Sequence, residues 1–416
     1  MPQSTSDLTQ STASSISKAG RPSPLRATLS SRIARLPAYS LLIVGQWKEA
    51  VARQGLPLCD LSLGDPKEET PPFIRKKLID SVTPDSSYPP SLGLPVLRRN
   101  AASWLRRRLG VDYPEDMIVP TSGSKEAIFH FAQILEPGGS MAYPAPGYPV
   151  YESAALMAGL TPLPIELSEA HDFALDVSGH PAAGNMASLW VCSPHNPTGT
   201  VLTRPQMLDL LAWSMQHGVL LLSDECYIDS VDPGAVQPDS FLALAREQDF
   251  AGVVAFYTLS KRSGMTGYRS GFVAGDPHYI AAFKKLRPHA GLASPSFVQE
   301  AAAAAWADDE HVAQRAAIYA AKRQVVRRFL ERLGWRYVKS EATFYVWAKL
   351  PDGYPDAGIY LEQLALATGI VATPGHCFGA GAEGAHWFRM ALVPPVAEIE
   401  RSLSVWMDYE QKKGIP

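Results

Sequence analysis

The chain reads as an α/β protein: a mostly parallel sheet with helices on both faces, joined to a smaller α/β unit. Three observations predict this. Helix-period stretches alternate with short apolar runs from about Ile33 onward. That alternation is the pattern of strand and crossover helix repeated along one sheet. After Pro295 the pattern changes to two long helical segments and mixed elements, which marks a second unit.

Taken in order, residues 1–33 are rich in Ser and Thr, and Asp7 is the one acid before Glu49. Such a segment buries little apolar surface and is expected to be a flexible tail. Being basic, Ser-rich and acid-poor, it also fits an organellar transit peptide, so both readings stand. Pro95–Leu109 and Gln206–Gln216 have helical spacing, whereas Ser188–Cys192, Val219–Ser223 and Gly252–Tyr257 read as strands. Ile118–Ala127 reads as a strand, a Gly-containing turn and a helix start. Beyond it come helices over Phe297–Asp308 and His311–Leu333, a strand over Ala342–Leu350, and a last helix over Val396–Gln411. The boundary between the units is expected near residue 290. This gives a tail (1–33), an arm joining the smaller domain (34–66), a large domain (67–290) and a small domain (291–416).

Composition narrows the function. Lys plus Arg number 38 against 41 Asp plus Glu, for a net charge of −3, and no basic block is flanked by aromatics, so nucleic acid is not an expected partner. No apolar run approaches the ~18 residues of a membrane-spanning helix. Cys59, Cys192, Cys226 and Cys377 are far apart and form no C-x-x-C, which points to a reducing, cytoplasmic setting and to no zinc site or disulfide framework. Gly379–Gly384 matches G-x-G-x-x-G, but a strand-like run, His386–Val393, follows it where a dinucleotide site needs a helix.

Ligands of open α/β sheets bind outside the carboxyl ends of the strands, so chemistry is sought just after each strand. Four segments lie there. Val191–Thr200 runs into a turn that carries Asn196; the next strand ends in Ser223-Asp224-Glu225-Cys226-Tyr227. Another ends in Thr258-Leu259-Ser260-Lys261, with Arg269 eight residues after the lysine. Gly123, Ser124 and Lys125 open a helix whose free N–H groups suit a phosphate. Singly, each is also an ordinary turn or cap. Together they offer an amine, an acid, a phenol, an amide and a phosphate cradle, the groups that hold pyridoxal 5′-phosphate.

These motifs, with Gly267–Asp276 (G-Y-R-S-G-F-V-A-G-D), Ala305-Trp306 and Thr343-Phe344-Tyr345-Val346-Trp347, resemble those of fold-type I, class I/II pyridoxal-phosphate aminotransferases. The likeness runs from about residue 33 to 410 and is greatest to the N-succinyldiaminopimelate aminotransferases of lysine biosynthesis. It implies a homodimer with shared active sites, glutamate as amino donor and N-succinyl-2-amino-6-oxopimelate as acceptor. Other aminotransferase substrates (LL-diaminopimelate, aspartate, alanine), or a lyase or cyclising synthase on the same scaffold, would use the same core residues.

The resemblance assigns roles residue by residue. Lys261 is the Schiff-base lysine and general base, and Asp224 pairs with the pyridine nitrogen. Asn196 and Tyr227 bond the ring oxygen, and Tyr148 stacks on the ring. Gly123, Ser124, Lys125, Thr258, Ser260 and Arg269 take the phosphate, with Tyr88 reaching it from the neighbouring subunit. Arg389 forms a bidentate pair with the substrate α-carboxylate, and Gly64 brings backbone close to substrate. His195, where relatives carry a second asparagine, and Pro144–Tyr148 depart from the subfamily pattern. Arg287 and His289 are candidates for a distal clamp as well as for a solvated face.

Overall fold

The computed structural model describes residues 28–38, 40–177 and 185–413, so most of the tail expected over 1–33 lies outside the described residues. Residues 28–36 form a unit of their own. In it Ser31–Arg35 make one helical turn, capped by the Ser30 hydroxyl, which accepts the Arg32 N–H at 3.3 Å.

In the main body a short strand, β1 (Cys59–Asp60), precedes the large sheet. That sheet comprises β2 (Val119–Thr121), β3 (Ser140–Ala145), β4 (Thr161–Glu166), β5 (Met186–Cys192), β6 (Leu220–Asp224), β7 (Val253–Thr258) and β8 (Gly271–Gly275). Their spatial order is β2-β8-β7-β6-β5-β3-β4. β8 runs antiparallel to both neighbours, and the other pairings are parallel. The chain steps outward from β3 to β4 and then returns to place β5 on the other edge of β3. Such a reversal is where connections diverge and a ligand crevice opens.

Side chains alternate between the faces of this sheet, and both faces are buried. On β5, Leu189 and Val191 pack with Met207, Leu210 and Leu211 of helix Arg204–His217. Trp190, between them, packs on the opposite face with Phe131, Tyr151 and Phe283. On β7, Ala255 and Tyr257 join Leu97 and Trp104 of helix Pro95–Trp104, and Val254 and Phe256 turn the other way. A strand covered on both sides needs apolar residues at every position, which is why these runs are unbroken.

The small sheet contains β9 (Arg336–Tyr337), β10 (Tyr345–Lys349), β12 (Thr373–Pro374) and β13 (Trp387–Ala391), ordered β12-β13-β10-β9; β11 (Ile370–Val371) pairs with β1 in parallel. Its core takes Val44, Trp47 and Val51 from helix Leu42–Arg53, Phe329 and Leu330 from helix Glu310–Leu333, and Trp406 from helix Val396–Lys413.

Packing places the helix that follows residue 290 beside the large sheet. Helix Ser296–Ala307 buries Ala301, Ala302, Ala305 and Trp306 against Trp104 and Phe272, so it belongs with the large sheet.

Candidate active site

β7 ends at Thr258, whose hydroxyl accepts the Ser260 N–H at 3.2 Å and starts the one-turn helix Leu259–Arg262. That turn carries Lys261 out over the carboxyl end of the sheet. Lys261 Nζ donates to the Gly64 carbonyl at 2.5 Å and lies 5.7 Å from the Phe344 ring centroid. Arg262 anchors the turn from behind. It bonds Asp229 at 2.8 Å and lies 5.2 Å from the Trp306 ring, so the lysine springs from a fixed base.

Asp224 is the last residue of β6 and is 3 % exposed. The Tyr151 hydroxyl donates to Oδ2 at 2.7 Å and the Cys226 N–H to Oδ1 at 3.3 Å. Burial pushes this carboxyl above its ordinary range, and hydrogen bonds from Cys226 and Tyr151, with the Lys261 charge, oppose the shift. A buried carboxylate in that condition gains from a cationic N–H partner.

The turn after β2 is held from both sides. Glu126 Oε2 accepts the Ser122 N–H at 2.9 Å, and Arg269 Nη2 donates to the Ser122 carbonyl at 3.1 Å. Gly123 has φ +82°, and a Cβ there would stand 2.6 Å from Arg269 Nη2, so only glycine lets the guanidinium close over the turn. Helix Ser124–Phe131 follows at once, and its first amides face the same space.

At the other end Arg389, in β13, is 4 % exposed, and its guanidinium carbon lies over two rings, 4.2 Å from the Tyr345 centroid and 4.5 Å from that of Phe378. Its Nη1 donates to Asn196 Oδ1 at 2.8 Å and its Nη2 to the Ser62 carbonyl at 2.6 Å. Its buried Nε has no partner among the described residues. The hydroxyls of Tyr227 and Tyr345 are 2.8 Å apart.

A cleft of about 400 Å³ joins these groups. Lys261, Asp224, Tyr227, Asn196, Arg389, Tyr148, Gly64, Ser124, Lys125, Ser260 and Arg269 all line it. A larger cavity, about 640 Å³, lies near the ends of β3 and β4 and holds none of them. Its Glu169 is paired with Lys349 and Arg336. Size alone would select the wrong place; the amine, the acid and the guanidinium identify the smaller cleft.

Other predicted residues fall elsewhere. The Thr258 hydroxyl donates to the Ser270 carbonyl as well as capping Ser260, so this residue positions Ser260 and Lys261 and does not line the cleft. Tyr88 is fully exposed and outside the cleft. Arg287 lies outside the cleft and does not face solvent: it is 1 % exposed and ion-paired with Glu126, while His289 is exposed. His195 is buried, with Nδ1 2.7 Å from Thr198 Oγ1, and burial lowers its pKa to about 3, so it is neutral. Sequence reasoning missed Tyr151, Tyr345, Ser62 and Phe378, which touch the site through contacts that a linear pattern does not show.

The family described as aminotransferase class I and II matches residues 57–405. This chain belongs to that family. It is 35 % identical over 351 residues to the 4-dedimethylamino-4-oxo-anhydrotetracycline transaminase of Streptomyces rimosus, covering 84 % of this chain and 93 % of that one. It is 33 % identical over 369 residues to LL-diaminopimelate aminotransferase 2 of Trichormus variabilis, covering 87 % and 93 %. Among solved structures it is similar to a Thermus thermophilus protein named as a probable N-succinyldiaminopimelate aminotransferase, at 26 % identity and a TM-score of 0.80, covering 88 % and 98 %.

As a class I/II aminotransferase the protein is an enzyme that depends on pyridoxal 5′-phosphate. The cleft fits that group. A lysine amine, a buried carboxylate, a glycine turn under an arginine and a two-ring clamp on a second arginine lie in one volume. Among the described residues no helix is long and apolar enough to cross a membrane, and no cluster of side chains is built to hold a metal ion.

Proposed function

We propose that the enzyme moves an amino group from glutamate to N-succinyl-2-amino-6-oxopimelate in a homodimer with shared sites. The observation that carries the general reading is the span from Lys261 to Arg389 across one cleft: an amine at one end and a planar carboxylate grip at the other. The diaminopimelate skeleton in the names of two relatives supports the acceptor. The full exposure of Tyr88 suits a residue that completes a neighbour's site.

The chemistry rests on these residues. Bound pyridoxal phosphate supplies an aldehyde that exchanges amines and a ring that takes up the electron pair freed at the substrate α-carbon. Lys261 would hold the cofactor, be released when a substrate amine arrives, and then carry the proton from the substrate α-carbon to the cofactor's aldehyde carbon. Asp224 keeps a proton on the ring nitrogen, and Tyr227 and the Asn196 amide donate to the ring oxygen. Ser124, Lys125, Ser260 and Arg269 would bind the phosphate, with Gly123 shaping the turn that presents Ser124 and Lys125. Arg389 takes the α-carboxylate and orients the bond to be broken. Tyr148 would stack on the ring, and Gly64 would bring its backbone close to the substrate.

A second reading has its own support. Besides Arg389, the cations that line the cleft are Lys125, Lys261 and Arg269, all assigned to the lysine and the phosphate, whereas Leu41, Leu63 and Phe378 add apolar wall. A neutral, ring-bearing oxo substrate, like that named for the Streptomyces rimosus relative, fits such a wall.

A single-turnover screen tests the first reading, and a ring-bearing oxo compound offered as acceptor to the same enzyme tests the second. The cofactor-loaded enzyme is mixed with glutamate, N-succinyl-LL-diaminopimelate, LL-diaminopimelate, aspartate or alanine, and the cofactor spectrum and the oxo product are followed. Rapid conversion by glutamate and N-succinyl-LL-diaminopimelate is expected. Ammonia release without an oxo product from the donor would overturn the transamination reading. Borohydride reduction should label Lys261, and labelling at another lysine would remove its assignment.

A further inference from the structure

Tyr345 has no assigned role, yet it touches three parts of the site. Its hydroxyl is 2.8 Å from that of Tyr227, its ring lies 4.2 Å from the Arg389 guanidinium, and a Cβ on Gly64 would stand 1.9 Å from its oxygen. Gly64 is also the residue whose carbonyl accepts from Lys261. The phenol oxygen is thus confined between the Gly64 backbone and Tyr227. Tyr345 is 3 % exposed and Tyr227 is 5 % exposed, so bulk water does not substitute for either partner.

We infer that Tyr345 is a positioning residue that turns the Tyr227 hydroxyl proton toward the cofactor and fixes the plane of Arg389. The argument is a count of protons. Each phenol carries one hydrogen and can donate once. If Tyr227 donated to Tyr345, it would have none left for the cleft. When Tyr345 donates, Tyr227 becomes the acceptor in that pair and its own hydrogen is free to point at the ring oxygen. Burial pushes the Tyr227 phenol well above its ordinary range, so it stays protonated at neutral pH. The Tyr345 ring does separate work. It forms one wall of the Arg389 sandwich, and the other wall is Phe378.

This inference rests on Tyr227 being the donor to the ring oxygen, and the test separates the two claims. Holoenzymes of wild type, Tyr345→Phe, Tyr227→Phe and the double variant are titrated with pH while the absorbance band of the lysine-bound cofactor is followed. A donor to the ring oxygen stabilises its anionic form and lowers the midpoint. Tyr227→Phe should therefore raise the midpoint. Tyr345→Phe should raise it too, by less, roughly 0.5 to 1 pH unit. The double variant should match Tyr227→Phe alone. KM for α-carboxylate substrates should stay within about twofold in Tyr345→Phe, because the ring remains, and should rise about tenfold or more in Tyr345→Ala.

If Tyr227→Phe shifts the midpoint and Tyr345→Phe leaves it at the wild-type value, the inference falls and the role of Tyr227 stands. If Tyr227→Phe itself leaves the midpoint unmoved, both fall. A purely structural Tyr345 would lower the unfolding temperature without moving the midpoint, which also overturns the inference.

Discussion

The Tyr151 hydroxyl donates to Asp224 Oδ2 at 2.7 Å from a position with no exposure to solvent, and its ring stacks on Trp190 at 4.9 Å. A carboxylate at the end of a central strand is thereby fixed in direction by a phenol that packing does not let turn. The same burial that orients Asp224 opposes its charge.

That opposition gives a pH prediction. Burial raises the Asp224 pKa in the native, cofactor-free protein, so the native state binds this proton more tightly than the unfolded chain does. The resulting stability is present below the ordinary value near pH 4 and is lost as pH rises through the raised one. Asp224→Asn removes that loss. Cofactor-free Asp224→Asn should gain in unfolding temperature relative to wild type as pH is raised from about 4 to 7, while turnover of the loaded enzyme drops about 100-fold or more. A difference in stability that does not change with pH would refute the assignment.

Replacing Arg389 by Lys keeps a charge and removes the planar fork. Asn196 Oδ1 and the Ser62 carbonyl lose the donors that now reach them at 2.8 and 2.6 Å. The loss of transition-state binding should be about 1.5 to 3 kcal/mol, roughly 10- to 150-fold in kcat/KM, for α-carboxylate substrates. Steady-state kinetics with an amine that lacks a carboxylate provide the control, and an equal loss there would contradict the carboxylate role.

Gly64→Ala places a methyl group 1.9 Å from Tyr345 Oη and 2.8 Å from its Cζ. Gly64 is not in the left-handed region, so the cost comes from collision alone. Tyr345 has to move, and the wall of the Arg389 sandwich moves with it. The expected penalty is about 1 to 3 kcal/mol, read as a roughly 5- to 150-fold drop in kcat/KM. Adding Tyr345→Phe should restore part of it, since Cζ remains too close; full recovery or none would count against this account.

Arg287→Ala leaves Glu126, which holds the Ser122 amide, without its buried cation. Stability should fall by about 3 to 5 kcal/mol, measured by denaturant unfolding, because a part-buried carboxylate loses its partner. Cofactor affinity should weaken as the phosphate turn loosens, with the ranking of substrates unchanged. A changed ranking at undiminished stability would return Arg287 to the distal clamp.

The strand ends are legible because buried parallel strands leave an unbroken apolar record, and a polar residue that ends one, such as Asp224, or lies in the turn beyond one, such as Asn196, stands out. Lys261 was legible for the same reason. Thr258 is ambiguous because a hydroxyl that caps a turn and one that faces a phosphate look alike in sequence. Arg287 carries its partner Glu126 from 161 residues away, a separation no local pattern reports. Tyr151 and Tyr345 were hidden because their neighbours show apolar periodicity, and the polar end of a phenol reveals itself only when a second chain segment meets it. Helix Ser296–Ala307 is alanine-rich and would pack against either core, so its place is set by Trp104 and Phe272.

β1 pairs with β11 through Cys59 and Ile370, and the core behind them is closed by Trp406 near the end of the described chain. During synthesis β1 leaves the ribosome long before any partner exists, and helix Leu42–Arg53 waits with it. The large sheet, complete by Gly275, can form while the remainder is still being made. Arg389 arrives last among the site residues. A nascent chain therefore presents the lysine, the acid and the phosphate turn before it can grip a substrate.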